Sequence, residues 1–67
     1  MADLHWSDAA EIGFQLNEAH PEVDPLTLRF TELHALVMQL AGFADAPEAS
    51  SEARLEAILS AWLDERE

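Results

Sequence analysis

Residues 51–67 read SEARLEAILSAWLDERE, and this stretch carries the clearest helix signal of the chain. Its apolar residues recur at intervals of three and four, which places them on one face of a helix. They are Leu55, Ile58, Leu59, Trp62 and Leu63. Ser50 or Ser51 is suited to cap this helix, because a serine oxygen accepts hydrogen bonds from the free N–H groups at a helix start. Glu52 then falls in the first turn, where the helix dipole favours a negative charge.

A second helix is predicted upstream of this stretch. Thr31 is a good N-cap residue, and Gly42 stands where a left-handed residue would end the helix. The buried face is expected to consist of Leu33, Leu36, Val37 and Leu40. Residues 43–49, which include Pro47, are predicted to form the loop to the last helix.

The first helix is predicted to begin near Ser7 or Asp8. Asp8 and Glu11 fit a capping box of the form D-x-x-E. The apolar face comprises Ala9, Ile12, Leu16 and Ala19. The helix should stop before Pro21, because the residue ahead of a proline is pushed out of the helical region.

These signals predict an all-α fold, a compact three-helix domain that spans residues 1–67. Asp24 followed by Pro25 is typical of a cap with proline at the first helical position, so one extra short turn is expected near Pro25–Leu28. The chain has no cysteine, which excludes disulfides, zinc knuckles and thiol chemistry. A core this small must therefore come from well-packed helices.

The charge of the chain is its dominant feature. Fourteen Asp and Glu residues stand against three Arg, which gives a formal net charge of −11. Such a charge repels nucleic acid and anionic lipid, and it attracts cations or basic protein surfaces. Acidity that merely keeps a small protein soluble is the alternative, although solubility needs only about 2–8 charges. With neither a signal peptide nor a run of ~20 apolar residues, we expect a cytoplasmic monomer without nucleic-acid or membrane partners.

Catalysis is not indicated by the sequence. No serine or histidine lies in a recognisable nucleophile motif, and no glycine-rich phosphate loop is present. His5, His20 and His34 are far apart and belong to no metal-binding motif. For His34, which lies beside core positions of the second helix, a half-buried histidine with one hydrogen bond is preferred to a metal ligand. We therefore expect no enzyme and no tightly bound cofactor.

The acidic residues of the last helix are placed poorly for stability. Glu52 and Glu56 are like charges at i and i+4, and Asp64 continues their stripe. Asp64, Glu65 and Glu67 crowd the C-terminal end, where the helix dipole prefers cations. Such placement is typical of a functional surface, and these last three are also candidate ligands for a weakly bound metal ion. A solvated helix end is the alternative.

Phe14 breaks the pattern of the first helix, because it is apolar on a face otherwise free of core residues. Isolated exposed apolar residues are common in soluble proteins. An aromatic side chain that borders an acidic stripe is also a candidate binding anchor. The sequence leaves both interpretations open.

Several segments, in their order and spacing, resemble one known family. They are Trp6-Ser7-Asp8, Glu11-Ile12-Gly13, Asp24-Pro25, Arg29-Phe30-Thr31-Glu32-Leu33-His34, Leu55-Glu56-Ala57-Ile58-Leu59 and Trp62-Leu63-Asp64-Glu65. The family is IscX, the small acidic accessory proteins of bacterial iron–sulfur cluster assembly. The resemblance runs without gaps over nearly the whole chain, and it implies a small helical fold similar to a winged helix.

The resemblance also implies a function. It implies binding to the cysteine desulfurase of the assembly machinery, at a basic surface that bacterial frataxin also uses. It further implies weak binding of iron ions by surface carboxylates and adjustment of desulfurase activity to the iron supply. The positions that match the family's acids are Asp8, Glu11, Glu32, Asp64 and Glu65. The residue pattern itself adds Glu18, Glu56 and Glu67 to the predicted partner-binding surface.

The loop before the last helix departs from the family, whose members commonly carry an acidic run there. Residues 41–46 read AGFADA, so Asp45 and the later Glu48 are the acids that remain. Iron binding is expected to be weaker for this reason, whereas partner binding through the helical acids is less affected. The leading hypothesis is a non-enzymatic regulator that docks on the desulfurase, and the alternative is an iron donor or adaptor that acts mainly through metal binding by surface carboxylates. Winged-helix folds often bind DNA, but the negative charge of this chain disfavours DNA binding.

Overall fold

The computed structural model describes residues 3–66 and confirms an all-α fold of three helices. The helices are α1 (Ala9–Ala19), α2 (Phe30–Met38) and α3 (Glu52–Arg66), and two 3-10 turns cover Pro25–Thr27 and Pro47–Ala49. Within the described residues the strand-like pairing is a single parallel bridge between Leu4 and Phe43. The expected similarity to a winged helix is therefore not confirmed, because that fold adds a strand-built wing to its helices.

All three helices and the N-terminal segment contribute to one hydrophobic core. Its buried residues are Leu4, Trp6, Ile12, Leu16, Leu33, Val37, Leu55, Ile58 and Trp62. The buried positions of α2 and α3 were all predicted from helical periodicity. Ala19 is exposed instead, because it is the last residue of α1 and extends past the core.

Helices α1 and α3 pack closely against each other at Gly13. A Cβ atom on Gly13 would lie 2.7 Å from the Cβ of Ala61, 2.8 Å from its carbonyl carbon and 2.8 Å from the backbone N of Trp62. Contacts under 3.0 Å are essentially never made by real Cβ atoms. Glycine at this position therefore lets the two helix backbones approach more closely than any other residue would allow.

The N-terminal segment is tied to the loop that follows α2. The N–H of Leu4 donates to the carbonyl of Gly42 at 2.8 Å, and the N–H of Ala44 donates back to the carbonyl of Leu4 at 2.9 Å. The indole Nε1 of Trp6 donates to the carbonyl of Ala46 at 2.7 Å. Its ring also packs edge-on against Phe43, with centroids 4.8 Å apart. The N-terminal segment and the loop after α2, which are distant in sequence, thus close one side of the core together.

Several helix boundaries match the sequence predictions. The hydroxyl of Ser51 accepts the N–H of Arg54 at 3.2 Å, as expected for the cap of α3. Helix α1 ends at Ala19, ahead of Pro21. The carboxylate of Asp24 accepts the N–H of Leu26 at 3.0 Å and opens the extra turn.

Other boundary predictions were wrong. Helix α2 begins at Phe30, not after Thr31, because Glu32 accepts the N–H of Arg29 at 2.9 Å and thereby fixes Arg29 as the N-cap. Gly42 has the expected positive φ of 86°, but it lies in a separate turn after Leu40 and not at the helix end.

The capping box predicted for α1 is also absent. Asp8 is the N-cap, yet its carboxylate accepts the N–H of His5 at 2.9 Å and makes no cap bond to the helix. Glu11 instead accepts the amide of Gln15 at 3.0 Å, so it does not reach back to the cap.

Substitution of Gly13 by alanine is expected to destabilise the fold. Overpacking costs about 1–3 kcal/mol, and backbone atoms, which yield little, form two of the three contacts. This cost should exceed the ~1 kcal/mol that alanine gains over glycine in helix propensity. Urea unfolding of Gly13→Ala measures the net loss. The control is Ala10→Gly, an exposed position on the same helix, where propensity alone acts. An equal or higher stability of Gly13→Ala would contradict the packing argument.

Candidate functional site

Helix α1 carries three of the predicted site acids on its outer side. Glu11 and Glu18 are exposed, and Asp8 is half-exposed at the start of the helix. A groove of about 640 Å³ lies beside them. It is lined by Asp3, Leu4, Asp8, Glu11, Gln15, Ala41 and Gly42. Asp3 was not predicted, since it precedes the helix and only the folded N-terminal segment brings it to Asp8 and Glu11.

Helix α3 carries a second group of acids. Glu56, Asp64 and Glu65 are all exposed, as predicted, and Glu52 is exposed on the stripe that Glu56 and Asp64 share. Glu67 lies outside the described residues. Because α1 packs directly against α3 at Gly13, the exposed acids of both helices lie on neighbouring elements.

Glu32 differs from the other predicted site acids. It lies on α2, and its carboxylate already accepts the N–H of Arg29 at 2.9 Å. The structure therefore gives Glu32 a structural role at the start of α2, whatever else it contacts. Asp8 likewise already accepts a backbone N–H, that of His5 at 2.9 Å. We keep the term acidic surface for the exposed acids of the two helices that pack together: Glu11, Glu18, Glu52, Glu56, Asp64 and Glu65.

The acidic surface has no arginine partner within the described part of the chain. Within residues 3–66, the pair of a basic and an acidic side chain in contact is His5 and Asp8, whose Nδ1 and Oδ2 atoms lie 3.7 Å apart. Arg66, which the sequence places among the acids of α3, instead donates to the carbonyl of Val23 at 2.8 Å. The negative charge of the surface is consequently left for ions or partners to neutralise.

A metal centre is not formed by residues 3–66. No group of three His, Asp or Glu side chains among them is arranged to hold a metal ion. Of the three candidate metal ligands, Asp64 and Glu65 are adjacent in α3, and side chains at i and i+1 do not face each other on a helix. The third, Glu67, falls outside the described residues.

His34 matches the structural interpretation made from the sequence. It is half-buried, its Nε2 donates to the carbonyl of Pro47 at 2.9 Å, and its ring lies 4.9 Å from that of Trp6. This bond ties α2 to the loop before α3. A hollow of about 320 Å³ beside it is lined by Phe30, Thr31, His34 and Leu55 and contains no carboxylate.

The family of the chain is shown by its similarity to known proteins. The family described as iron–sulphur cluster assembly matches residues 4–67 of the chain. The chain belongs to this family. The resemblance to IscX is thereby confirmed, and membership implies a role in iron–sulfur cluster assembly together with partners in the assembly machinery. The chain is also similar to the uncharacterized protein PA3808 of Pseudomonas aeruginosa. The two are 47% identical over 64 residues, which cover 96% of this chain and 97% of that protein.

Membrane spanning has no support in the helices described. None of the helices within residues 3–66 is long and apolar enough to cross a bilayer.

The loop acid Asp45 has a structural task. Its two carboxylate oxygens accept the N–H groups of Trp6 at 3.1 Å and Ala46 at 2.8 Å. These bonds favour the ionised form and lower the pKa of Asp45 below its ordinary value. One of the two acids that remain in this loop is thus engaged in holding the N-terminal segment, which further weakens the case for an iron site there.

Replacement of Asp45 by asparagine should reduce stability at neutral pH. An amide offers one oxygen where two N–H groups need two, and it cannot carry the charge. Because the folded-state pKa is depressed, the contribution of Asp45 is present above the unfolded value of ~3.9 and is lost as pH falls through the folded value.

Thermal unfolding followed by circular dichroism from pH 7 into the acid range measures this difference. Glu48→Gln, an exposed acid of the same loop, is the control for the loss of charge alone. The wild-type protein should have a higher melting temperature than Asp45→Asn at pH 7, and this difference in melting temperature should disappear in acid. A gap of constant size at all pH values would show that the ionised carboxylate is not responsible.

Proposed function

We propose that this protein is a non-enzymatic accessory protein of iron–sulfur cluster assembly, which binds the cysteine desulfurase in the cytoplasm through its acidic surface and regulates it. The observation that carries the proposal is the set of exposed, arginine-free carboxylates on α1 and α3. Membership of the assembly family supports the choice of partner.

Electrostatics explains why such a surface suits docking. Exposed charges of one sign attract an oppositely charged partner from a distance and raise the rate of encounter. The acids at the C-terminal end of α3 oppose the helix dipole and cost a few tenths of a kcal/mol each. A basic partner surface would relieve that repulsion, so the acids are stabilising only in the complex.

The side-chain inventory supports the non-enzymatic part of the proposal. The chain has no cysteine, and its three histidines are far apart in sequence. His34, the one in the core region, is engaged with Pro47 and Trp6. Nucleophilic catalysis needs a nucleophile beside a base that is itself oriented by a third group. No such set is found among the described residues.

Charge-neutral variants test the docking surface. We expect Glu11→Gln/Glu18→Gln and Glu56→Gln/Asp64→Asn to weaken binding to the cysteine desulfurase. An exposed ion pair contributes up to ~1 kcal/mol, so each lost carboxylate should raise Kd up to about fivefold. Titration calorimetry at low and high salt measures the affinity, and amide NMR spectra map the contact face.

A matched control removes the same number of charges elsewhere. Glu22→Gln/Glu48→Gln neutralises two exposed acids outside the acidic surface and should change Kd only slightly. Binding that is unaffected by salt would contradict electrostatic docking, because exposed charges are screened over about 10 Å at 0.1 M. Equal losses in the control and the test variants would show that net charge acts, and not this surface.

An iron donor or adaptor is the second candidate function. Its support is the density of carboxylates, since oxygen ligands suit hard cations. Against it stands the finding that residues 3–66 contain no three ligands arranged around one point. Anaerobic calorimetric titration with ferrous iron decides this, with Asp64→Asn/Glu65→Gln/Glu67→Gln as the comparison. Heat that disappears in the variant would support iron binding at the end of α3, and no heat with the wild-type protein would dismiss it.

A further inference from the structure

Phe14 is an exposed aromatic side chain on α1 with a glutamate on either side of it along the helix surface. It is 42% exposed, and the other large apolar residue that is exposed among the described residues is Leu26, at 70%. Phe14 follows Glu11 by three positions and precedes Glu18 by four. Residues at these spacings are neighbours on a helix surface. Both glutamates are exposed, and the spacing places them before and after Phe14 on the outer face of α1.

The backbone beneath Phe14 is held firmly. Its neighbour Gly13 is the residue at which α1 meets α3, and the fit there leaves no room for even a Cβ atom. Helix α1 cannot shift on α3 without breaking this contact. A phenylalanine side chain has only two rotatable bonds, so the ring is presented at a small entropic cost on binding.

The chemistry of this face selects its ligand. The face of an aromatic ring carries partial negative charge and attracts cations, and two carboxylates beside it reinforce the attraction. Glu11 and Glu18 have no arginine partner among residues 3–66. A guanidinium group fits better than an ammonium group, because it is planar, weakly hydrated, stacks on aromatic rings and binds carboxylates with two hydrogen bonds.

We propose that Phe14, Glu11 and Glu18 form a receptor for an arginine side chain on the surface of a protein partner. This deepens the proposed function, and it rests on that function for the identity of the partner. The receptor makes the docking of α1 selective for arginine over lysine, whereas the remaining acids attract any positive charge.

A second copy of the chain is a poorer occupant of this face. Pairing two copies through Phe14 would bring Glu11 and Glu18 of each against the same residues of the other. Like charges at such a contact oppose association, and each chain already carries a net charge of −11. Charge complementarity therefore favours a basic partner.

Two short peptides test the selectivity without the desulfurase. Both are blocked and alternate glycine with a basic residue, one containing four arginines and the other four lysines. Amide NMR titrations of the wild-type protein should give a lower Kd for the arginine peptide, by up to about fivefold, which is the effect of a whole exposed cation–π contact, part of which lysine also makes. The preference should fall in Phe14→Ala and in Phe14→Leu, since leucine keeps the apolar bulk but lacks a ring, and only the paired hydrogen bonds to the carboxylates then favour arginine.

Leu26→Ala, the matched control, removes the other exposed apolar side chain and should keep the arginine preference. Circular dichroism confirms the fold of each variant. Equal affinity of the wild-type protein for both peptides would overturn the proposal. So would a preference as large in Phe14→Leu as in the wild-type protein, or sedimentation showing a dimer that only the Phe14 variants abolish.

Titration of the same variants with the cysteine desulfurase separates this inference from the proposed function. A wild-type protein that prefers the arginine peptide but ignores the desulfurase would refute the proposed partner and leave the arginine receptor standing. A desulfurase that binds the wild-type protein and Phe14→Leu alike, with no peptide preference, would refute the receptor and leave the docking proposal standing.

Discussion

The close approach of α1 and α3 at Gly13 is the contact on which the rest of the structure depends. A chain of 67 residues without cysteine has no disulfide to support a small core, so its helices must pack tightly. The core of these helices also carries a cost, because the indole Nε1 of the buried Trp62 finds no hydrogen-bond partner among the described residues. An unsatisfied buried donor costs about 1–3 kcal/mol, which burial of the large indole ring must exceed. The same contact fixes the relative position of the two helices that carry the exposed acids.

The acidic residues fall into two groups with different tasks. Some carboxylates accept backbone N–H groups and hold the fold: Asp8, Asp24, Glu32 and Asp45. All four lie at helix starts or in turns, where backbone donors are free. Those on the outer sides of α1 and α3 face solvent without such a backbone partner, and no arginine within residues 3–66 forms an ion pair with them. The net charge alone does not reveal this division. Because the second group holds no backbone N–H, its carboxylates are free for a partner, and they are the better candidates for recognition.

Local periodicity predicted much of the fold, and contacts between distant residues account for what it missed. The face of α3, the stop at Pro21 and the turn at Pro25 depend on near neighbours, so the sequence was sufficient there. The N-terminal segment was overlooked, because Leu4 and Trp6 gain their burial from partners about forty residues away. Alternation of buried Leu4 and Trp6 with exposed His5 was the available signal. The exposure of the site acids was predictable from helical spacing, whereas the proximity of Asp3 to Asp8 and Glu11 required the tertiary fold.

The distribution of the acids bears on which ligand they suit. A single metal ion needs several ligands that converge within its coordination sphere, and flexible loops usually supply them. Here the loop before α3 retains two acids, and the carboxylate of Asp45 already accepts hydrogen bonds from the N–H groups of Trp6 and Ala46. The exposed carboxylates are instead spread along α1 and α3, so their negative charges do not converge on one point, and the packing of the two helices fixes the backbone that carries them. Such an array complements a broad basic surface better than a point charge. An aromatic ring at Phe14 then adds what charge alone cannot supply, a preference for the shape of one basic side chain over another.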